Sequence, residues 1–416
     1  MGDFLNLDLL TKDIRITPRK LVAAVLLNSG TLAWFFLLVI YMWDISASIT
    51  LNDQFWVYYN IGPSLFLGFA VFWSIVESFV GGKLNRRKLL ISTVALGALS
   101  TIMLTLFQGT AFATISIFLM GMSFGLGLPS SMALVADYTV VEERARVSGA
   151  IILFTFLLAF ASMAIMRILN LELFSIVLLL ALLRSTSFLA FAIDKCTQQG
   201  QTTTEKTRLP SNAYKQLTLY LLPWAMFVVV SSLAWNLIPS DSAAAVTGTT
   251  YRYAFIAVFG LVSGVVADRF GRKQPIVIGL IVLGISFALL GFFGITETNV
   301  IIYLALSGVA WGSFFVLFLA IPGDLSAPGS REKFYGLGYI LPVAVMVCIS
   351  AIPGRSLFVG QSASLVSQIF SAILFLSIIP VLRAKETLQE SKIQERKLKE
   401  YAERVGKAVQ ETKEGK

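Results

Sequence analysis

The chain contains no histidine and only two cysteines in 416 residues. The first absence removes a common metal ligand and the side chain that titrates most readily near neutral pH. The second leaves Cys196 in a polar segment and Cys348 in an apolar one, with no disulfide framework and no Cys/His cluster for a metal. Charge is scarce as well, at 14% of residues. The chain has no paired carboxylates within its apolar stretches and no motif for a nucleophile, so no enzymatic activity, cofactor or metal is expected. What fills the sequence is hydrophobic: 56% of residues, with 32 Phe, which is too apolar for an ordinary water-soluble domain.

Runs of about 20 apolar residues, the length that crosses a hydrocarbon core as helix, recur twelve times. They fall at 21–43, 55–80, 89–107, 111–135, 148–168, 173–193, 216–238, 250–267, 275–294, 299–322, 335–354 and 360–382. Each is continuous and lacks the alternation of a barrel strand, which predicts an all-α polytopic membrane protein. The first run is too long for a cleavable signal, follows Pro18-Arg19-Lys20 and has no cleavage-like site after it. Asn6 stands where a myristoylation pattern needs Ser or Thr. With the N terminus inside, all but four of the 33 Lys and Arg lie on the inner side, the exceptions being Arg167, Arg184, Arg252 and Arg355. Both termini are therefore expected in the cytoplasm, with the chain integral to the cell membrane. The net charge of +9 reads as a topology signal, so the lipid bilayer is the expected partner and nucleic acid is not.

The runs divide six and six. A polar inside linker at 194–215, "DKCTQQGQTTTEKTRLPSNAYK", separates a first half at 1–193 from a second at 216–382, and a charged tail follows at 383–416. At an offset of 187 residues, Gly121, Gly125, Asp137, Arg144 and Gly149 match Gly308, Gly312, Asp324, Arg331 and Gly336. Five matches at one offset indicate an internal duplication. In the tail, Leu398, Tyr401, Ala402, Val405 and Val409 share a helical face, which suits either a cytoplasmic partner or a solvated segment.

Between the eighth and ninth runs lies "GVVADRFGRK". It resembles the G-x-x-x-D-R-x-G-R-[RK] loop of the major facilitator superfamily, at the place where that family carries it. The resemblance extends to the layout of all twelve spans and implies a fold of two six-helix halves. The residues themselves suggest either a latch or a tight turn that carries topology charges. Gly264 lets a neighbouring helix approach, Asp268 offers a carboxylate to basic side chains or helix amides, and Arg269, Arg272 and Lys273 face the inner surface. The first-half copy, "GGKLNRRK", is degraded: Gly81 matches the glycine, Asn85 replaces the acid, and Arg86 follows. "DYTVVEERARVSG" and "DLSAPGSREKFYG" resemble the family's other inside loops, which adds Asp137, Glu143, Arg144, Asp324 and Arg331 to the latch. Glu77, one turn before the inner end of the second span, is expected to reach Arg86 or Arg87, or else to carry a proton.

The resemblance further implies that the first, fourth, seventh and tenth spans line a central cavity. On those spans Asn28, Thr31, Trp34, Ser231, Ser232, Trp235 and Trp311 form an aromatic, neutral-polar set suited to a small amphipathic or uncharged molecule, or to helix packing. Arg184, a charge within an apolar span, is a further substrate candidate, although the resemblance implies that the sixth span is peripheral. Arg167, Arg252 and Arg355 at the outer ends fit a funnel for anions or contacts with lipid headgroups and outside acids such as Glu172 and Asp241. The function expected is secondary transport of a small molecule by alternating access between the halves, with or without a coupling ion. The alternative is a non-transporting membrane sensor or scaffold on the same fold.

Overall fold

The computed structural model describes residues 15–50, 61–80, 84–106, 109–195, 212–234, 237, 243–350 and 362–388. Twelve helices in this set are long and apolar enough to cross a membrane. We number them α1 (Pro18–Ile49), α2 (Ile61–Val80), α3 (Arg86–Leu106), α4 (Thr110–Tyr138), α5 (Val141–Ile168), α6 (Leu173–Ile193), α7 (Ala213–Ala234), α8 (Ala243–Phe270), α9 (Lys273–Phe293), α10 (Glu297–Leu325), α11 (Arg331–Ser350) and α12 (Ala363–Arg383). Among the described residues there is no strand. The architecture is all-α, with six spans followed by six.

Several helices start earlier than the apolar runs suggest. α5 begins at Val141 instead of 148, α8 at Ala243 instead of 250, and α11 at Arg331 instead of 335. The added turns of α5 and α11 carry charge, with Glu142 and Glu143 opening one and Arg331 and Glu332 the other. Hydropathy marks the part of a helix that belongs in hydrocarbon, whereas backbone hydrogen bonding carries the helix on into the polar interface.

The packing repeats itself. α2 lies on α4 as α8 lies on α10, α3 on α4 as α9 on α10, α3 on α6 as α9 on α12, and α1 on α5 as α7 on α11. Across the two sets the main contacts are exchanged in the same manner, with α5 against α8 and α2 against α11. Apolar lipids give helices no hydrophobic reason to associate, so close approach through small residues matters. Gly264 shows this at the α5–α8 contact, where a β-carbon would lie 2.4 Å from the Ala145 carbonyl oxygen. On the outside, Phe72, Phe79, Leu99, Phe154, Leu157, Phe292 and Phe293 are exposed, as suits surfaces facing hydrocarbon.

Candidate functional site

At one end of the bundle, helix ends from both sets of six meet in a layer of ion pairs. It has two centres. Asp324, at the end of α10, accepts from Arg144 on α5 at 2.6 Å and from Arg272, just before α9, at 2.9 Å. Asp137, at the end of α4, accepts from Arg86 at the start of α3 and from Arg331 at the start of α11. Each acid therefore holds one arginine of its own set and one of the other. The 187-residue offset supplies the reciprocity, since Asp137 matches Asp324 and Arg144 matches Arg331.

Asp268 forms the bridge between α8 and α5. Its carboxylate accepts from the amides of Ala145 at 3.2 Å and Arg146 at 2.8 Å, from Arg146 Nε at 3.2 Å and from Arg272 Nη1 at 2.5 Å. Arg272 Nη2 also donates to the Val141 carbonyl at 2.5 Å. Asp268, Arg272 and Asp324 have fully buried side chains. Burial by itself would lower the Arg272 guanidinium, yet the Asp324 and Asp268 carboxylates outweigh it and raise the group above its ordinary value. Removing one partner from such a buried set strands the others and costs about 3–5 kcal/mol.

Three residues outside the sequence expectations complete the layer. Arg146 holds Asp268, and Glu332, in the first turn of α11, accepts from Arg86 across the two sets. Glu386, just beyond α12, accepts from the amides of Arg272 at 2.8 Å and Lys273 at 3.2 Å. It fits against Gly271, whose φ of 101° is a left-handed turn that glycine adopts without strain. Thr387 donates to Asp324 at 3.2 Å, so the segment directly after α12 is docked on the layer.

Other latch candidates do different work. Glu143 accepts from its own Val140 amide and from the amides of Arg15 and Ile16, fastening the segment before α1. Lys273 donates to the Leu382 carbonyl, and the Arg269 side chain makes no hydrogen bond or ion pair among the described residues. Asn85 accepts from the Lys88 amide at 3.2 Å and caps the start of α3. Glu77 is buried and accepts from Ser130, not from Arg86 or Arg87. Arg86 is already committed to Asp137 and Glu332. Gly81 lies outside the described residues, as do Cys196, Asp241, Arg355 and the tail face at 398–409.

Next to this layer, with Tyr335 between them, is a cavity of about 90 Å³, lined from α1, α4, α5, α7, α10 and α11. Its walls include Phe35, Phe36, Trp224, Trp311, Phe315 and Tyr339. Of the eight residues expected there seven are described, and among these Trp311 alone is in its lining. Trp235 lies outside the described residues. Asn28 donates to the Ala24 carbonyl inside α1, and Trp34 donates to Thr101 on α3. Thr31 accepts from Arg184. Arg184 is fully enclosed within the first six helices, donating to Ser123 at 3.1 Å and the Thr93 carbonyl at 3.3 Å and stacking over Trp34 at 5.2 Å. Ser231 and Ser232 do not line the cavity. Arg252 lies over the Trp311 ring at 5.5 Å, so this outer arginine is turned toward the protein.

Comparison with known proteins follows this geometry. The chain superposes on three solved transporter structures. The proton:xylose symporter XylE of the major facilitator superfamily, bound to 6-bromo-6-deoxy-D-glucose, matches with a TM-score of 0.66 over 89% of this chain and 96% of its own, at 14% identity. The human organic anion transporter MFSD10 (TETRAN) matches at 0.62, over 88% of this chain and 100% of its own, at 15% identity. A bacterial homologue of the iron transporter ferroportin, in an outward-facing state, matches at 0.61, over 89% and 99%, at 16% identity. The chain has the major facilitator fold. In sequence, an uncharacterized MFS-type transporter from Methanocaldococcus jannaschii is 33% identical over 100 residues. That match spans 24% of this chain and about a quarter of the length of the curated relative. No family model matches.

The buried arginines and acids lie at helix ends of both sets, where α5 meets α8 and α2 meets α11. The residues that sequence reasoning missed had one usable signal. Glu332 occupies the position that the 187-residue offset assigns to Ala145, whose amide binds Asp268.

Proposed function

We propose that the chain is a secondary carrier that moves a small molecule by alternating access, rocking its two six-helix sets about the central cavity. The layer around Asp324, Asp268 and Asp137 is the latch of one conformer, and the end that carries it faces the cytoplasm, in keeping with the basic loops. The observation that carries this reading is reciprocity. Each acid centre binds one arginine from each set, and the cavity beyond is lined by helices of both sets. Contacts of this kind exist in one arrangement of two rigid bodies and break in another, which is the property a two-state gate needs.

The test combines flux with accessibility. Asp268→Asn, in a Cys196→Ser, Cys348→Ala background first shown to be active, should lower substrate flux in proteoliposomes several-fold. It should also raise labelling of single cysteines placed near the latch ends of α5 and α11, with expression little changed. Wild-type flux together with unchanged labelling would remove the latch.

A further inference from the structure

The cavity is nearly devoid of polar groups, and two of those it has are idle. Among the described residues no charged side chain lines it. Trp311 and Tyr339 both belong to its walls, and among the described residues the Trp311 indole N–H and the Tyr339 hydroxyl have no hydrogen-bond partner and lie just behind the cavity surface. Trp311 is only 4% exposed. The two donors sit among different aromatic groups: Tyr339 beside Phe35 and Phe124, Trp311 beside Trp224 and Phe315. Tyr335, also in the lining, already donates to the Leu319 carbonyl at 2.9 Å.

Buried donors are almost always satisfied, so two idle ones directly behind a cavity surface mark a place for an acceptor that reaches them as the walls widen. Resting on the carrier reading, which makes this cavity the substrate site, we infer that it takes an uncharged, largely apolar small molecule bearing at least one hydrogen-bond acceptor, such as a carbonyl or ether oxygen, for Trp311 and Tyr339. Other classes fit poorly. An ion would be stripped of water with no counter-charge in the walls. A sugar would bring several hydroxyls, and most would be left unpaired. Arg252 does not alter this, because its guanidinium stacks on the Trp311 ring and does not line the cavity. Size sets a further limit. At about 90 Å³ the cavity is smaller than the engineered cavity of roughly 150 Å³ that admits benzene. A monocyclic ring therefore requires some expansion, which the flexible Met132 and Met346 in the lining allow.

Four probes separate the classes: acetophenone, with a ring and a carbonyl acceptor; ethylbenzene, with the ring alone; benzoate, with the ring and a charge; and glucose. Thermal stabilisation of the detergent-solubilised full chain is titrated with each, since a ligand of the folded state raises its stability. Acetophenone should bind on the order of tenfold more tightly than ethylbenzene, a ratio of the size one hydrogen bond supplies. Benzoate and glucose should have no effect at the same concentrations. In Trp311→Phe/Tyr339→Phe the acetophenone advantage should vanish while ethylbenzene binding is kept. Comparing each variant with the wild type at equal probe concentration cancels partition into micelles. Stronger stabilisation by benzoate or glucose, stabilisation by no probe, or a retained preference in the double variant overturns the inference. Should the double variant not fold, the wild-type ranking and Tyr339→Phe alone decide in the same way. Binding is read without flux, so a correct ranking beside a wild-type chain that carries none of the bound probe into proteoliposomes defeats the carrier reading and leaves the ligand class standing.

Discussion

The centres at Asp324 and Asp137 occupy matching positions and differ in how they tie the two sets together. Around Asp324 the side chains are sealed: those of Asp324, Arg272 and Asp268 are 0% exposed, while Asp137 and Arg331 are 17% and 15% exposed. Around Asp324 the second acid is Asp268, at the end of α8, gripping amides of α5. Around Asp137 the loop position holds Asn85, which only caps α3, and the second acid is Glu332, already on α11 and reaching back to Arg86. The acid that the first loop lacks is thus supplied from the opposite side of the same interface. A degraded motif need not mean a lost contact, because an ion pair depends on where charges meet and not on which helix contributes which sign.

The comparison is broken most forcefully at Asp324. Asp324→Asn leaves Arg144 and Arg272 buried against a neutral amide, and the expected loss of folded stability is about 3–5 kcal/mol. It should be read as a fall in the thermal midpoint larger than that of Asp137→Asn. Equal falls would show that the difference in exposure carries no energetic weight.

Glu332→Gln comes next and sharpens the claim of exchange. Arg86 retains Asp137, so the cost should be about 1–3 kcal/mol. Labelling at the latch end of α11 should rise in the same sense as in Asp268→Asn. A Glu332→Gln protein with wild-type labelling and flux would return the first interface to a contact without a latch.

Smallest is Asn85→Ala, expected to cost about 0.5–1 kcal/mol through the lost helix cap. Its thermal midpoint should fall slightly while accessibility at the latch end does not change. An accessibility change as large as that of Glu332→Gln would place the first-loop latch at Asn85 after all.

Much of the fold was legible in the sequence, and for a plain reason. A segment of about 20 apolar residues has few stable options in lipid other than a spanning helix. The 187-residue repeat also brought Asp137, Arg144, Asp324 and Arg331 to attention before their pairing was known. Arg146, Glu332 and Glu386 escaped notice because their partners lie 122, 246 and 114 residues away. The cavity was legible least. Asn28, Thr31 and Trp34 were placed in it, and they turn instead into the interior of the first six helices.

By itself, then, the sequence determined the number of spans, their helical character and the acids and arginines available at helix ends, since solvation in hydrocarbon dictates these locally. Tertiary structure alone decided which face of each helix meets lipid, a sister helix or the cavity. A span that is apolar on all sides carries no stripe to orient it. The facing of Arg184 and the idle donors of Trp311 and Tyr339 were therefore set by packing, where close approach of small residues and pairing of buried charges choose one arrangement among many equally apolar ones.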